Sequence, residues 1–217
     1  VEYCKAILTQ GCAMAPLPIR REGNYHDETP DPENPSATAI RSLILKGEDW
    51  GSFVPDAALY DGAAIHTLSA AEKAILYRLR TMADEEFEAL PYGSEGLWRK
   101  LMHASRSCTT LEEIIAATKS KRYTRTRIDR MILCAFLGIS REMLETPVPY
   151  TRVLALNDTG REVLKKARQA GHFPNIGERI DHPYQALERR ADDLYALCAP
   201  PPEKPGQTNH RRIFYTP

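Results

Sequence analysis

A predicted helix begins with small hydroxyl residues and carries an arginine one turn later. The residues Ser-Ala-Thr-Ala-Ile-Arg at 36–41 follow a polar segment that three prolines interrupt. A helix N-terminus offers unpaired backbone N–H groups and the positive end of the helix dipole, and both favour a bound phosphate. Ser36 and Thr38 would add hydroxyl contacts, and Arg41 a forked, charge-assisted one. The segment indicates a nucleotide phosphate site; the alternative is that Ser36 only caps the helix and Arg41 is solvated, which is routine.

A loop rich in functional groups precedes this helix. Arg20 and Arg21 end a segment from Met14 that we predict as a short edge strand, because its two prolines cannot donate backbone hydrogen bonds. Glycine, asparagine and proline in the following residues predict a loop. Arg20 and Arg21 are therefore candidate functional residues, because loops held by a rigid scaffold often carry function. His26 beside Asp27 is a weak sign of acid–base chemistry, and a surface turn is the alternative.

An arginine-rich segment forms a second group of candidates. It contains six basic residues and one tyrosine against a single acid. The candidate nucleic-acid contacts are Lys119, Lys121, Arg122, Tyr123, Arg125, Arg127 and Arg130. The basic side chains would contact RNA phosphates, and Tyr123 would stack on a base. The alternative is a solvated basic face that pairs with the acidic residues at 84–88.

Short helices have to position both groups. Ser36 and Gly47 are start and stop signals for a helix over 37–46. From about residue 66, apolar residues recur at helical spacing between short turns, which predicts a helical bundle. Thr110 with Glu113 three residues later forms a capping box within it.

The C-terminal third departs from this pattern. Residues 150–157 are predicted as the one convincing later strand, and four prolines make 199–206 a linker or a wrapping tail. Lys165, Lys166 and Arg168 are interpreted as an ordinary exposed face of a helix. The overall prediction is a mainly α protein.

Composition excludes several classes. Lys+Arg and Asp+Glu are equal at 29 each, so the chain is not a globally basic RNA binder. No apolar run approaches the roughly 20 residues of a membrane span. The five cysteines show no metal-ligand spacing, so we predict neither a disulfide framework nor a metal site, and a reduced, cytoplasmic protein. The first residues read as mid-helix without a cap, and we expect an N-terminal portion to precede them.

Several segments, taken together, resemble the bacterial tRNA(Met) cytidine acetate ligase family, which belongs to the nucleotidyltransferases of the HxGH type. They occur in order along nearly the whole chain, which makes the resemblance more specific than any single motif. The segments are Glu2-Tyr3, Lys5-Ala6, Ile19-Arg20, Tyr25-His26-Asp27, the Ser36–Arg41 segment, Lys121-Arg122-Tyr123-Thr124 and Arg152-Val153-Leu154.

The resemblance implies a domain plan and a reaction. Residues 1–60 would be the closing edge of a Rossmann-like nucleotidyltransferase domain, and 61–217 a helical, tRNA-binding domain with one short strand near 150–156. The family uses ATP, with Mg²⁺ expected, and acetate to form an acetyl-adenylate. It then acetylates the wobble cytidine of elongator tRNA(Met). The Ser36–Arg41 segment would be the second nucleotide motif, with Arg20 or Arg21 contacting ATP.

The sequence also departs from the family pattern. It has no HxGH motif and no glycine-rich first strand and loop, so we expect it to lack a complete active site. Two alternatives stay open. The chain is either a non-catalytic tRNA-binding helical module, or part of a nucleotidyltransferase that adenylates a small cofactor precursor.

Overall fold

The computed structural model describes residues 2–20 and 27–216 and divides into two compact units, Val1–Ala63 and Ala64–Pro217. The predicted mainly α class is confirmed, because helices dominate and the strands are short. No helix in the described ranges is long and apolar enough to cross a membrane. The roles assigned to the two domains stay predictions.

The described residues of the first unit include α1 (Glu2–Thr9) and α2 (Ala37–Lys46). Two short 3₁₀ helices, Gly51–Phe53 and Ala57–Tyr60, follow α2. The predicted strand from Met14 is wrong over residues 14–20, which have no regular structure. Its prolines lack N–H donors, and no strand lies beside it in the described part of this unit. Its last residue, Arg21, lies outside the described residues.

The second unit is a bundle of short helices with a small sheet. Its helices are α3 (Glu72–Thr81), α4 (Asp84–Ala89), α5 (Leu97–Ser107), α6 (Leu111–Thr118), α7 (Arg125–Leu137), α8 (Arg141–Glu145), α9 (Asp158–Ala167) and α10 (Pro183–Ala196). Helix α6 begins as predicted: Glu113 N donates to Thr110 Oγ1, and the Glu113 carboxylate accepts from the backbone of Thr110.

The core of this unit lies among α3 to α7. Its fully buried side chains come from the apolar stripes that predicted the bundle, and include Ile75, Leu79, Phe87, Leu97, Leu101, Ile114, Ile128, Met131 and Ile132. Cys134 and Cys198 are buried, as expected of packing residues, and burial raises the pKa of both thiols. The arginine-rich segment at 119–130 includes the start of α7, so the packing of this core fixes its position.

The small sheet joins the middle of the second unit to the end of the chain. Strand β1 (Ala155–Leu156) pairs in parallel with β2 (Phe214–Tyr215). Val153 also forms an isolated parallel bridge with Asn175. The strand predicted over 150–157 is therefore mostly extended chain, because β2 supplies partners for only two residues. The tail at 199–206 runs along α10, where Glu203 N donates to Ala196 O and Gly206 N to Asp193 Oδ1.

Candidate functional site

Ser36 forms the N-cap of α2. The side chain is 2% exposed; its Oγ accepts a 3.0 Å hydrogen bond from Ala39 N and donates one to Asp27 O. These bonds use the hydroxyl within the protein. Ser36 thus fixes the start of α2 and joins it to the end of the preceding loop, as the capping interpretation expects.

The first turn of α2 still presents donors. Ala37 and Thr38 are exposed, and their backbone amides have no acceptor among residues 2–20 and 27–216. Ile40 N, by contrast, donates to Ser36 O. Thr38 and Arg41 are exposed side chains on the same helix, so two amides, a hydroxyl and a guanidinium accompany the positive end of its dipole. This set fits a phosphate group.

The loop candidates are only partly within the described structure. Arg20 is exposed. Arg21 and His26 lie outside the described residues, so the predicted Arg20–Arg21 pair and the His26–Asp27 pair cannot be placed as units. The second arginine and the histidine stay sequence-based candidates.

Tyr123 is not a base-stacking platform, and this prediction is wrong. The side chain is 6% exposed, and its hydroxyl donates a 2.7 Å hydrogen bond to Glu95 O. Its ring lies beneath two guanidinium groups, with Arg122 Cζ 5.9 Å and Arg127 Cζ 5.3 Å from the ring centroid. Tyr123 is buried because it fills the gap between the start of α7 and the loop before α5, a position that its isolated motif does not reveal.

Arg127 also contacts the protein. Its Nε donates 2.9 Å to Tyr92 O and its Nη2 2.8 Å to Ser94 Oγ. The side chain reaches across to the loop at 92–96 and donates to two acceptors there. Its direct role in RNA contact has no support from this geometry.

Surface ion pairs hold two more arginines. Arg122 Nη2 lies 2.8 Å from Glu95 Oε1, and Arg125 Nη2 lies 2.7 Å from Glu112 Oε2. The hydrogen bond from Arg125 lowers the pKa of Glu112, and Glu112 raises that of Arg125. Both pairs are exposed, so each arginine can exchange its carboxylate for a phosphate at small cost.

The acidic residues at 84–88 pair elsewhere. Arg78 Nη2 lies 2.7 Å from Glu86 Oε1, and Arg106 Nη2 binds Asp84 Oδ1. The hydrogen bond from Arg78 is the main cause of a lowered pKa for Glu86. The alternative in which this stretch neutralises the arginine-rich segment is therefore wrong.

The remaining basic side chains form an accessible surface. Lys119, Lys121 and Arg130 are exposed, and the described chain gives none of them a hydrogen bond or ion pair through the side chain. With the exposed Arg122 and Arg125 they form what we call the basic surface, defined as Lys119, Lys121, Arg122, Arg125 and Arg130. It retains five of the seven residues predicted to bind nucleic acid.

Sequence reasoning missed a network that orders the C-terminal third. Arg152, whose side chain is 16% exposed, lies with Nη2 2.9 Å from Glu188 Oε2 and donates to the carbonyl oxygens of Asn175 and Glu178. Tyr150 donates 2.7 Å to the same Glu188 oxygen. Burial and this bond raise the pKa of Tyr150 to about 12. No short spacing links these residues, because Glu188 comes from α10.

Comparison with known proteins decides the family. The family model described as HIGH Nucleotidyl Transferase matches residues 1–210. The chain belongs to this family. Its similar relatives include the tRNA(Met) cytidine acetate ligases of Clostridium novyi (32% identical, covering 80% of this chain and 47% of the relative) and Clostridium acetobutylicum (28%, 91% and 52%). The resemblance read from the residues is confirmed, and with it membership of a family of enzymes.

Solved structures show the same fold. Thermotoga maritima TmcAL in its apo form superposes with a TM-score of 0.82 at 22% identity, covering 99% of this chain and 59% of that one. The same protein bound with alpha-thio ATP gives 0.79 at 22%, covering 99% and 58%. At this identity the likeness shows the fold alone. The chain spans about half the length of the curated relatives it matches.

No cluster of three His, Cys, Asp or Glu side chains that could hold a metal ion occurs in the described ranges.

Proposed function

We propose that this chain is part of an ATP-dependent tRNA(Met) cytidine acetate ligase. The names of its relatives in the HIGH nucleotidyl transferase family support this activity. In the proposed reaction, acetate attacks the α-phosphate of ATP, acetyl-adenylate forms and pyrophosphate leaves. The N4 amine of the wobble cytidine then takes the acetyl group and AMP is released. Because the substrate is tRNA, the proposed place of action is the cytoplasm.

The open first turn of α2 is the observation that carries the nucleotide part. The amides of Ala37 and Thr38, the Thr38 hydroxyl and the Arg41 guanidinium would hold a phosphate, with Arg20 and Arg21 as proposed additional contacts. Ser36 contributes by fixing this turn rather than by offering its own hydroxyl. Thermotoga maritima TmcAL, which has this fold, has been solved with alpha-thio ATP, and that supports ATP as the nucleotide.

The proposed chemistry is electrostatic. Fixed donors at the phosphates stabilise charge that develops as pyrophosphate leaves, without a protein nucleophile. Mg²⁺ would come with ATP, would offset the negative charge of its phosphates and would need few protein ligands. The HxGH residues are absent from this sequence, so we propose that they complete the site in the full-length protein and that this chain alone is inactive.

The basic surface is the proposed contact with tRNA. Three of its cations can contact a phosphate without breaking an ion pair: Lys119, Lys121 and Arg130. By contrast, Arg122 and Arg125 would first have to break their exposed ion pairs with glutamates. RNA-binding affinity should therefore depend more on the three unpaired cations than on the two paired ones.

An exchange assay tests the proposal. The full-length protein should incorporate labelled pyrophosphate into ATP only when acetate is present. If acetate supports no exchange, the ligase proposal is rejected. If a small cofactor precursor supports exchange instead, the protein would be a nucleotidyltransferase that adenylates such a precursor. Binding of tRNA by the full-length protein without any exchange would support the other alternative, a non-catalytic tRNA-binding module.

A further inference from the structure

A groove in the C-terminal third is lined by basic residues. It has a volume of about 510 Å³ and lies between α9 and the end of the chain. Three of its eight lining residues are the cations Arg161, Lys165 and Arg168, and in the described chain no acid lines it. The other lining residues include Asn175 and Tyr215.

Helix geometry places the three cations together. Positions i, i+4 and i+7 of an α-helix lie on one face, so Arg161, Lys165 and Arg168 form a row along α9. Lys166, one position further round, points away from that row and does not line the groove. The sequence predicted that Lys165, Lys166 and Arg168 form an ordinary exposed face of a helix. In the structure Lys165 and Arg168 line the groove, whereas Lys166 is exposed outside it.

Two neighbouring grooves in the described chain carry acids beside their cations. The groove lined by Arg152 and Arg189 also contains Glu188 and Asp192. The groove lined by Arg179 and Arg190 contains Asp181 and Asp193. In a chain of net charge zero, a groove lined by three cations and by no acid in the described chain is a local anion-attracting field.

The cations are also positioned. Arg168 Nη2 donates 3.2 Å to Phe173 O and 3.4 Å to Asn175 Oδ1, while its Nε and Nη1 have no acceptor in the described residues. Arg161 Cζ lies 5.7 Å from the ring centroid of Tyr215. Asp158, at the start of α9, accepts from the Tyr215 hydroxyl and forms an ion pair with Arg161, with 3.7 Å between its Oδ1 and Arg161 Nη1. The pair is exposed, so Arg161 can exchange Asp158 for a ligand at small cost.

We propose that this groove is a second RNA-backbone site, separate in sequence from the basic surface, in which Arg161, Lys165 and Arg168 contact successive phosphates of the tRNA. The inference rests on the proposed function, because it needs tRNA as the partner. Successive phosphates suit a row of cations at one-turn spacing, and Tyr215, which is 42% exposed, offers an apolar wall beside them. RNA backbones are bound through such phosphate contacts, and affinity then depends steeply on salt.

A matched pair of variants tests the site. Lys165→Glu and Lys166→Glu make the same charge change at adjacent exposed positions of α9, and Lys165 has no hydrogen bond or ion pair in the described structure. We expect Lys165→Glu to weaken tRNA binding about five- to tenfold at 0.1 M salt and to lower the slope of log K against log salt by about one. Lys166→Glu should change binding less than twofold. Circular dichroism and the thermal midpoint verify that both variants fold.

Each other outcome overturns the inference. Equal losses for both variants would mean a general charge effect, and no loss for either would mean a solvated groove. Exchange activity in the full-length protein separates the two proposals, because Lys165→Glu should leave acetate-dependent ATP–pyrophosphate exchange unchanged. If tRNA binds and exchange proceeds while Lys165→Glu is neutral, only the groove proposal fails. If the wild-type protein binds no tRNA, both the tRNA part of the proposed function and the groove fail.

Discussion

The hydroxyl of Tyr123 donates a 2.7 Å hydrogen bond to the backbone carbonyl oxygen of Glu95. Glu95 has a φ of 62°, a conformation that costs free energy for a residue other than glycine. Tyr92 in the same loop has a φ of 64° and accepts from Arg127 through its carbonyl oxygen. The arginine-rich segment therefore has a structural half, which holds a strained loop, and an exposed half, which is free to bind a partner.

Replacing Tyr123 by phenylalanine should reduce stability without reducing RNA affinity. The ring stays packed but Glu95 O loses its donor, at a cost of about 1 kcal/mol in the free energy of unfolding. Urea denaturation measures the change. Tyr77→Phe is the control, since Tyr77 is 72% exposed. Unchanged stability in Tyr123→Phe would show that the hydrogen bond to Glu95 O does not hold the loop.

Reversing the charge of Lys121 should weaken tRNA binding. The side chain is exposed and has no ion pair among the described residues, so Lys121→Glu removes a phosphate contact without breaking a protein contact. The salt slope of binding should fall by about one. Filter binding at several salt concentrations measures it, with the exposed Lys100→Glu on α5 as control. Identical slopes for both variants would identify the basic surface as a solvated face.

Two substitutions at the start of α2 should separate capping from nucleotide binding. Ser36→Ala should lower the stability of the helix by about 1 kcal/mol, because Ala39 N loses its acceptor. Thr38→Val, which keeps the shape, should leave stability nearly unchanged and weaken ATP binding by the full-length protein about tenfold. Calorimetric titration with ATP and thermal unfolding give the two readings. Unchanged ATP affinity in Thr38→Val would leave α2 as an ordinary capped helix.

Tyr150 should make stability fall with pH in the alkaline range. Its pKa is about 12 in the folded chain against an ordinary value of 10, so the unfolded chain releases this proton first as pH rises. The contribution is complete below pH 10 and is lost as the pH rises to about 12; two pKa units correspond to roughly 3 kcal/mol. Comparing urea unfolding of the wild type and Tyr150→Phe across this range isolates it. Parallel pH profiles would refute the assignment.

Local signals in the sequence were sufficient for the helices and their caps. Ser36, Thr110 and the apolar stripe around Ile128 lie where they were predicted, because capping and helical spacing act over four residues or fewer. The class of protein was also readable, since the resemblance rested on several segments in order. Those features need no knowledge of distant contacts.

The partners of the charged residues could not be read from the sequence. Tyr123 bonds to Glu95 and Arg152 to Glu188, which are 28 and 36 residues away. Whether an arginine forms an ion pair or a hydrogen bond within the protein depends on which distant loop or helix packs beside it. The groove beside α9 could not be predicted for the same reason. Tyr215 is distant from Arg161 in sequence and comes to lie beside it only through the pairing of β2 with β1.

Strand β1 can pair with β2 only after β2 has been synthesised. Ala155 leaves the ribosome well before Phe214, so β1 emerges with its edge unpaired and must wait for its partner. Until then the row of cations on α9 has no Tyr215 beside it. A nascent chain in which β2 has not yet been synthesised would therefore have the helices of its bundle but not the Tyr215 wall of the groove.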